Sequence, residues 1–95
     1  MKPIDRVLKQ LRSRRAALAR YGVRHLSIFG STARNKPNAR DIDILVEFEK
    51  PTFDRYMDLK FYLEDLLKKR VDLLTKEAIR PEIRESIEKD AVLVA

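Results

Sequence analysis

Phe29-Gly30-Ser31-Thr32-Ala33-Arg34, followed within ten residues by Asp41-Ile42-Asp43-Ile44-Leu45-Val46-Glu47-Phe48, is the stretch on which the reading of this chain turns. In the second segment Ile42, Ile44, Val46 and Phe48 form an unbroken apolar set, and Asp41, Asp43 and Glu47 alternate with them, sharing their side with Leu45. A period of two marks a strand packed on one face and open on the other. On such a strand Asp41 and Asp43 point the same way, about 6–7 Å apart at the ordinary rise. Like charges held together repel, and a bound cation relieves the repulsion. The Gly-Ser turn after the apolar run Leu26-Ser27-Ile28-Phe29 offers backbone N–H groups and a hydroxyl to a phosphate. A phosphate cradle beside a carboxylate pair points to metal-dependent chemistry on a nucleotide.

The flanking sequence supplies the rest of the layout. Ile4, Val7, Leu8 and Leu11 follow helical spacing and Leu18 continues it, so residues 3–20 are expected to form one amphipathic helix. Pro3 suits its first turn and Gly22 a stop just after Tyr21. Residues 24–29 alternate as a strand, and 35–40, with Pro37 and Asn38, form a loop by composition. Lys50-Pro51-Thr52 ends the strand over 42–48. Helical spacing returns over 53–69, a short strand follows at 71–74, a helix runs from Pro81 to Lys89, and 91–94 close as a last strand. The 53–69 helix is long enough to join parallel strands, and the 35–40 loop allows an antiparallel hairpin. These elements predict an α/β (α+β) fold with a small mixed sheet, helices packed mainly on one face, in a single domain over 1–95.

Asp72 gains meaning once the strands are drawn. Its neighbours Val71 and Leu73 suit the core, so Asp72 points to the other side, the side that carries Asp41 and Asp43. If strand 71–74 lies beside strand 42–48, three carboxylates share one open face. Hard oxygen donors of this kind select Mg²⁺ or Mn²⁺. Two such ions can bridge nucleotide phosphates and activate an attacking hydroxyl. Asp72, next to that hydroxyl, can ligate metal, accept its proton, or do both.

Gly30-Ser31-x-Ala33-Arg34, Asp41-x-Asp43 and Asp72 in Val-Asp-Leu-Leu, in this order, resemble the polymerase-β-like nucleotidyltransferases. The likeness is strongest to their smallest members, the minimal nucleotidyltransferase (MNT) proteins, and extends over most of the chain. It implies the nucleotidyltransferase fold, with Gly30 and Ser31 on the triphosphate of ATP and with Asp41, Asp43 and Asp72 as a catalytic, metal-binding triad for two Mg²⁺ or Mn²⁺ ions. Arg34 stands where the family has its arginine, either touching phosphate or anchoring the loop to a carboxylate. Asn35 replaces the family's usual glycine, and Arg40 its usual serine. Larger relatives follow this sheet with a helical domain that grips base or acceptor. The chain reaches Ala95 without one, so a partner is expected to supply it, a second copy or a separate protein. The resemblance implies a HEPN-domain toxin, with AMP passed from ATP to a toxin tyrosine and the chain acting as antitoxin. The alternative on the same fold is neutralisation of the toxin by binding alone.

Composition narrows the remaining classes. No cysteine means no disulfide framework and no thiolate metal site, and neither a signal peptide nor a membrane-length apolar run is present, which fits the cytoplasm. The net charge of +6 permits an acidic partner or a polyanion. No aromatic interleaving or nucleic-acid module accompanies the cations, so nucleic acid is not expected. His25 reads as an ordinary strand or surface histidine, Tyr21, Tyr56 and Tyr62 as packing residues, and Lys68-Lys69-Arg70 as a solvated helix end favoured by the helix dipole. Phe53, Tyr56 and Phe61 suit a partner surface or the core equally.

Overall fold

A computed structural model describes residues 2–34 and 40–95. Its elements are α1 (Pro3–Arg12), α2 (Arg15–Arg20), β1 (Val23–Phe29), α3 (Gly30–Ala33), β2 (Asp41–Phe48), α4 (Phe53–Leu67), β3 (Arg70–Thr75), a 3-10 turn (Lys76–Ala78), α5 (Pro81–Asp90) and β4 (Val92–Leu93). The sheet order is β3-β2-β1-β4. β1 pairs antiparallel with β2 and β4, while β2 and β3 run parallel, joined by α4. The mixed sheet predicted from crossover length and hairpin spacing is therefore the one observed.

Alternation sorts the sheet as the strand pattern requires. Leu26 and Ile28 of β1, Ile42, Ile44, Val46 and Phe48 of β2, and Val71 and Leu73 of β3 are buried together. They meet Ile4, Val7, Leu11 and Leu18 from α1 and α2 and Leu59, Leu63 and Leu67 from α4 in one apolar cluster. Burying a side chain of this size stabilises the fold by roughly 1.5–3 kcal/mol. The opposite sheet face carries the aspartates. There α5, with no buried residue of its own, reaches β1 and α3 only near one side.

The single helix expected over 3–20 is two helices. Ser13 turns its hydroxyl back onto the Gln10 carbonyl at 2.7 Å, and the Arg14 amide shortens its bond to the Leu11 carbonyl at 3.0 Å. A serine that bonds its own backbone competes with the helical ladder. The break lets both Leu11 and Leu18 reach the core. Gly22, at φ +81°, supplies the stop expected there.

α4 is delimited by residues that favour its ends. Thr52 accepts the Arg55 amide at 3.1 Å as N-cap. Lys68 closes the helix in the left-handed region at φ 56°. The helix also covers the outer edge of β3, where Glu64 Oε2 accepts the Val71 amide at 3.0 Å and Tyr56 donates its hydroxyl to the Leu73 carbonyl at 2.7 Å. The tyrosines pack as expected, Tyr21 and Tyr62 with ring centroids 5.0 Å apart. Phe53 and Phe61 are exposed.

Candidate active site

Three strands bring the motif together in one row across the sheet. Phe29, the last residue of β1, pairs with Asp43 of β2, and Asp43 pairs with Asp72 of β3. Adjacent strands lie about 4.8 Å apart, so the turn after β1, Asp43 and Asp72 follow one another at that spacing. Asp41, two residues earlier on β2, pairs with Arg70. The burial alternation along β2 and β3 puts all three aspartates on the open face.

The Gly-Ser stretch folds as α3, one helical turn that begins where β1 stops. Gly30 has φ +70°, a left-handed value that suits glycine. Its missing side chain matters as much: a Cβ there would overlap Asp43 Oδ2 and stand 3.0 Å from the Asp43 carboxyl carbon. The backbone of the turn therefore lies directly against the carboxylate. Ser31 is half-buried beside it and Thr32 is buried.

Charge is concentrated at this point. Burial raises the Asp43 carboxyl above the usual carboxylate range, and the neighbouring charges of Asp72 and Asp41 and a side-chain contact with Asp72 raise it further, against a lowering by Arg34. Asp72, paired with Asp43 across the strands, and Asp41, two residues away on β2, both act on it. Among the described residues no three carboxylate or imidazole side chains are gathered closely enough to hold an ion. The donors nonetheless fit a hard divalent cation, since all are carboxylate oxygens and their mutual repulsion is what a cation relieves.

Arg34 Nη1 lies 3.2 Å from Asp90 Oδ2, which ties the end of α3 to the end of α5. The carboxylate anchor is thus the arrangement observed, and the guanidinium remains close enough to act on Asp43 through its charge. Asn35 and the loop as far as Ala39 lie outside the described residues. Arg40 is exposed and forms no ion pair among the described residues. His25 is a half-exposed strand residue, 3.8 Å from Glu47.

Arg70 corrects part of the expectation for Lys68-Lys69-Arg70. Rather than ending a helix in solvent, it opens β3 and stands beside Asp41. With Asp41, Lys60, Glu64, Val71 and Asp72 it lines a depression of about 550 Å³. The signal was present in the sequence: Arg70 precedes Asp72 by two residues, so one strand face carries both.

Comparison with known proteins agrees with this geometry. Residues 4–94 match the family model described as a nucleotidyltransferase domain. The chain belongs to the nucleotidyltransferase domain family. This nucleotidyltransferase is 45% identical over 98 residues to "Putative protein adenylyltransferase MJ0128" of Methanocaldococcus jannaschii, covering 99% of this chain and 100% of the relative. It is 39% identical over 77 residues to "Protein adenylyltransferase MntA" of Thermococcus cleftensis, covering 79% and 78% of the two chains. A solved structure named "Structure of putative minimal nucleotidyltransferase" superposes with a TM-score of 0.74 at 37% identity, covering 90% of this chain and 93% of the other. The tri-AMPylated Shewanella oneidensis HEPN toxin in complex with MNT antitoxin gives a TM-score of 0.61 at 18% identity, covering 98% and 69%. At that identity the likeness speaks to fold alone. Among the described residues no helix is long and apolar enough to cross a membrane.

Proposed function

We propose that this nucleotidyltransferase moves AMP from ATP onto a tyrosine hydroxyl of a partner HEPN toxin and thereby acts as an antitoxin in the cytoplasm. The observation that carries the reading is the row formed by Gly30, Asp43 and Asp72, with Asp41 beside it on the same face. A glycine turn against one carboxylate sets the backbone of the phosphate turn beside a metal-ligand candidate, and the next strand holds a second carboxylate for the acceptor. The names of the relatives support a protein acceptor. The AMPylated toxin in a structure of this fold supports a HEPN one.

In this reading Gly30 and Ser31 hold the β- and γ-phosphates by backbone N–H and hydroxyl. Asp41, Asp43 and Asp72 would hold Mg²⁺, which supplies charge neutralisation at the phosphates and a more acidic acceptor hydroxyl. Asp72, on the strand farther from the turn, faces the acceptor and takes its proton. The acceptor oxygen bonds to the α-phosphorus, the bond from that phosphorus to the oxygen bridging to the β-phosphate breaks, and pyrophosphate leaves. Arg34 secures α3 through Asp90 and lends positive charge to the same region.

The test is incubation with labelled ATP, Mg²⁺ and the HEPN partner. Label on the partner that is lost in Asp43→Asn is the expected result. Neutralisation of the toxin that persists in the Asp41→Asn/Asp43→Asn double variant, with no label transferred, would replace transfer by occlusion.

A further inference from the structure

The depression beside Asp72 has a composition that the transfer chemistry alone does not require. Across the sheet the phosphate turn follows β1, the paired aspartates lie on β2, and Asp72 lies on β3 at the edge. Arg70, two residues before Asp72 on β3 and paired with Asp41, and Lys60 from α4 line the same depression as Asp72. Neither cation forms an ion pair within 4.0 Å among the described residues, although Asp41, Asp72 and Glu64 line the same depression. Glu64 is already engaged by the Val71 amide. Exposed Lys69 adjoins Arg70 in the chain. Once the aspartates are neutralised by a divalent cation, Lys60 and Arg70 outnumber Glu64, and the wall facing an incoming acceptor is positive.

We infer that Arg70 and Lys60 form the acceptor subsite and select a polypeptide segment with carboxylates next to its reactive hydroxyl. This deepens the proposed function and rests on its protein acceptor. Guanidinium and ammonium groups left unpaired beside a catalytic carboxylate gain most from carboxylates that arrive with the substrate, because each forms a charge-assisted hydrogen bond. The depression, at about 550 Å³, holds a phenol ring together with a flanking side chain. A nucleic-acid strand suits it less, since among the described residues no exposed aromatic side chain lines the depression to stack a base.

Two measurements on the full chain test this separately from the transfer reaction. First, fluorescently labelled peptides with one tyrosine flanked by glutamate, by alanine or by lysine are titrated with Mg²⁺ present and no nucleotide. The glutamate peptide binds best, its affinity falls as salt is raised, and Arg70→Gln and Lys60→Gln each weaken it about tenfold. The charge reversal Arg70→Glu shifts preference toward the lysine peptide, which a merely structural role for Arg70 would not do. Equal binding of the three peptides, unchanged binding by both glutamine variants, or tighter binding of a single-stranded oligoribonucleotide of equal charge would overturn the inference. Second, label transfer from ATP to the same peptides reports on the reaction. Arg70→Gln raises KM for the glutamate peptide and leaves KM for ATP unchanged. Peptide selection without transfer from the wild type would count against the proposed reaction, and transfer without selection against the subsite.

Discussion

Gly30 and Asp43 are in backbone-to-carboxylate contact: the α-carbon of Gly30, at φ +70°, faces Asp43 Oδ2 with no space for a methyl group between them. The relationship couples the turn proposed to bind phosphate to the metal-binding candidate on the neighbouring strand. It also makes Gly30→Ala a sharp probe, because alanine is strained at that φ and displaces the carboxylate. We expect a loss of about 1–3 kcal/mol in stability by urea denaturation and roughly a 10²-fold loss of AMP transfer from the misplaced carboxylate.

The raised pKa of Asp43 has a consequence for stability that can be followed with pH. The folded protein holds this proton more tightly than the unfolded chain, whose carboxyl titrates near 3.8. Folded stability therefore falls as pH rises from the unfolded value through the higher folded one, the reverse of a salt-bridged carboxylate. Asp43→Asn removes that decline. In EDTA its Tm should exceed that of the wild type at neutral pH, with the difference shrinking toward pH 4. Added Mg²⁺ should raise the Tm of the wild type and leave that of the variant nearly unmoved.

The Arg34–Asp90 pair joins residues far apart in the chain, but both side chains are partly solvated. Exposed pairs contribute little, typically about 0.2–1 kcal/mol. A double-mutant cycle with Arg34→Ala and Asp90→Asn should give a coupling energy in that range. Asp90→Asn alone should keep KM for ATP near the wild-type value, since it spares the guanidinium.

Tyr56 and Glu64 protect the free edge of β3, and through it the position of Asp72. Loss of one such hydrogen bond in Tyr56→Phe should cost about 1 kcal/mol. In Glu64→Ala the Val71 amide loses its acceptor, so its hydrogen exchange should accelerate while amides of β1 keep their protection. Unchanged exchange at Val71 would mean that this amide has another acceptor in solution.

Much of this was legible in local pattern. The alternation in Asp41–Phe48 decided which residues face the core and which the open side, because a strand offers only two faces. The apolar Val71 and Leu73 oriented Asp72 by the same rule. The helix drawn from Pro3 to Arg20 failed for an equally local reason, the Ser13 hydroxyl competing for a helical carbonyl, which hydrophobic spacing does not register.

Pairing between distant segments was decided elsewhere. That Asp43 stands opposite Asp72 and not one residue off depends on the parallel register set by α4 packing across β3. That Asp41 stands beside Arg70 follows from the same register. The contact of Arg34 with Asp90 needs α5 to return over the open face, and the placing of Lys60 beside Arg70 in one depression emerges only once α4 and β3 share an edge. The chain's own pattern thus specified its strands, their faces and which carboxylates share the open one. Tertiary packing specified the distances within the site, since contacts across dozens of residues arise from the summed burial of three helices and a sheet, and no single segment encodes them.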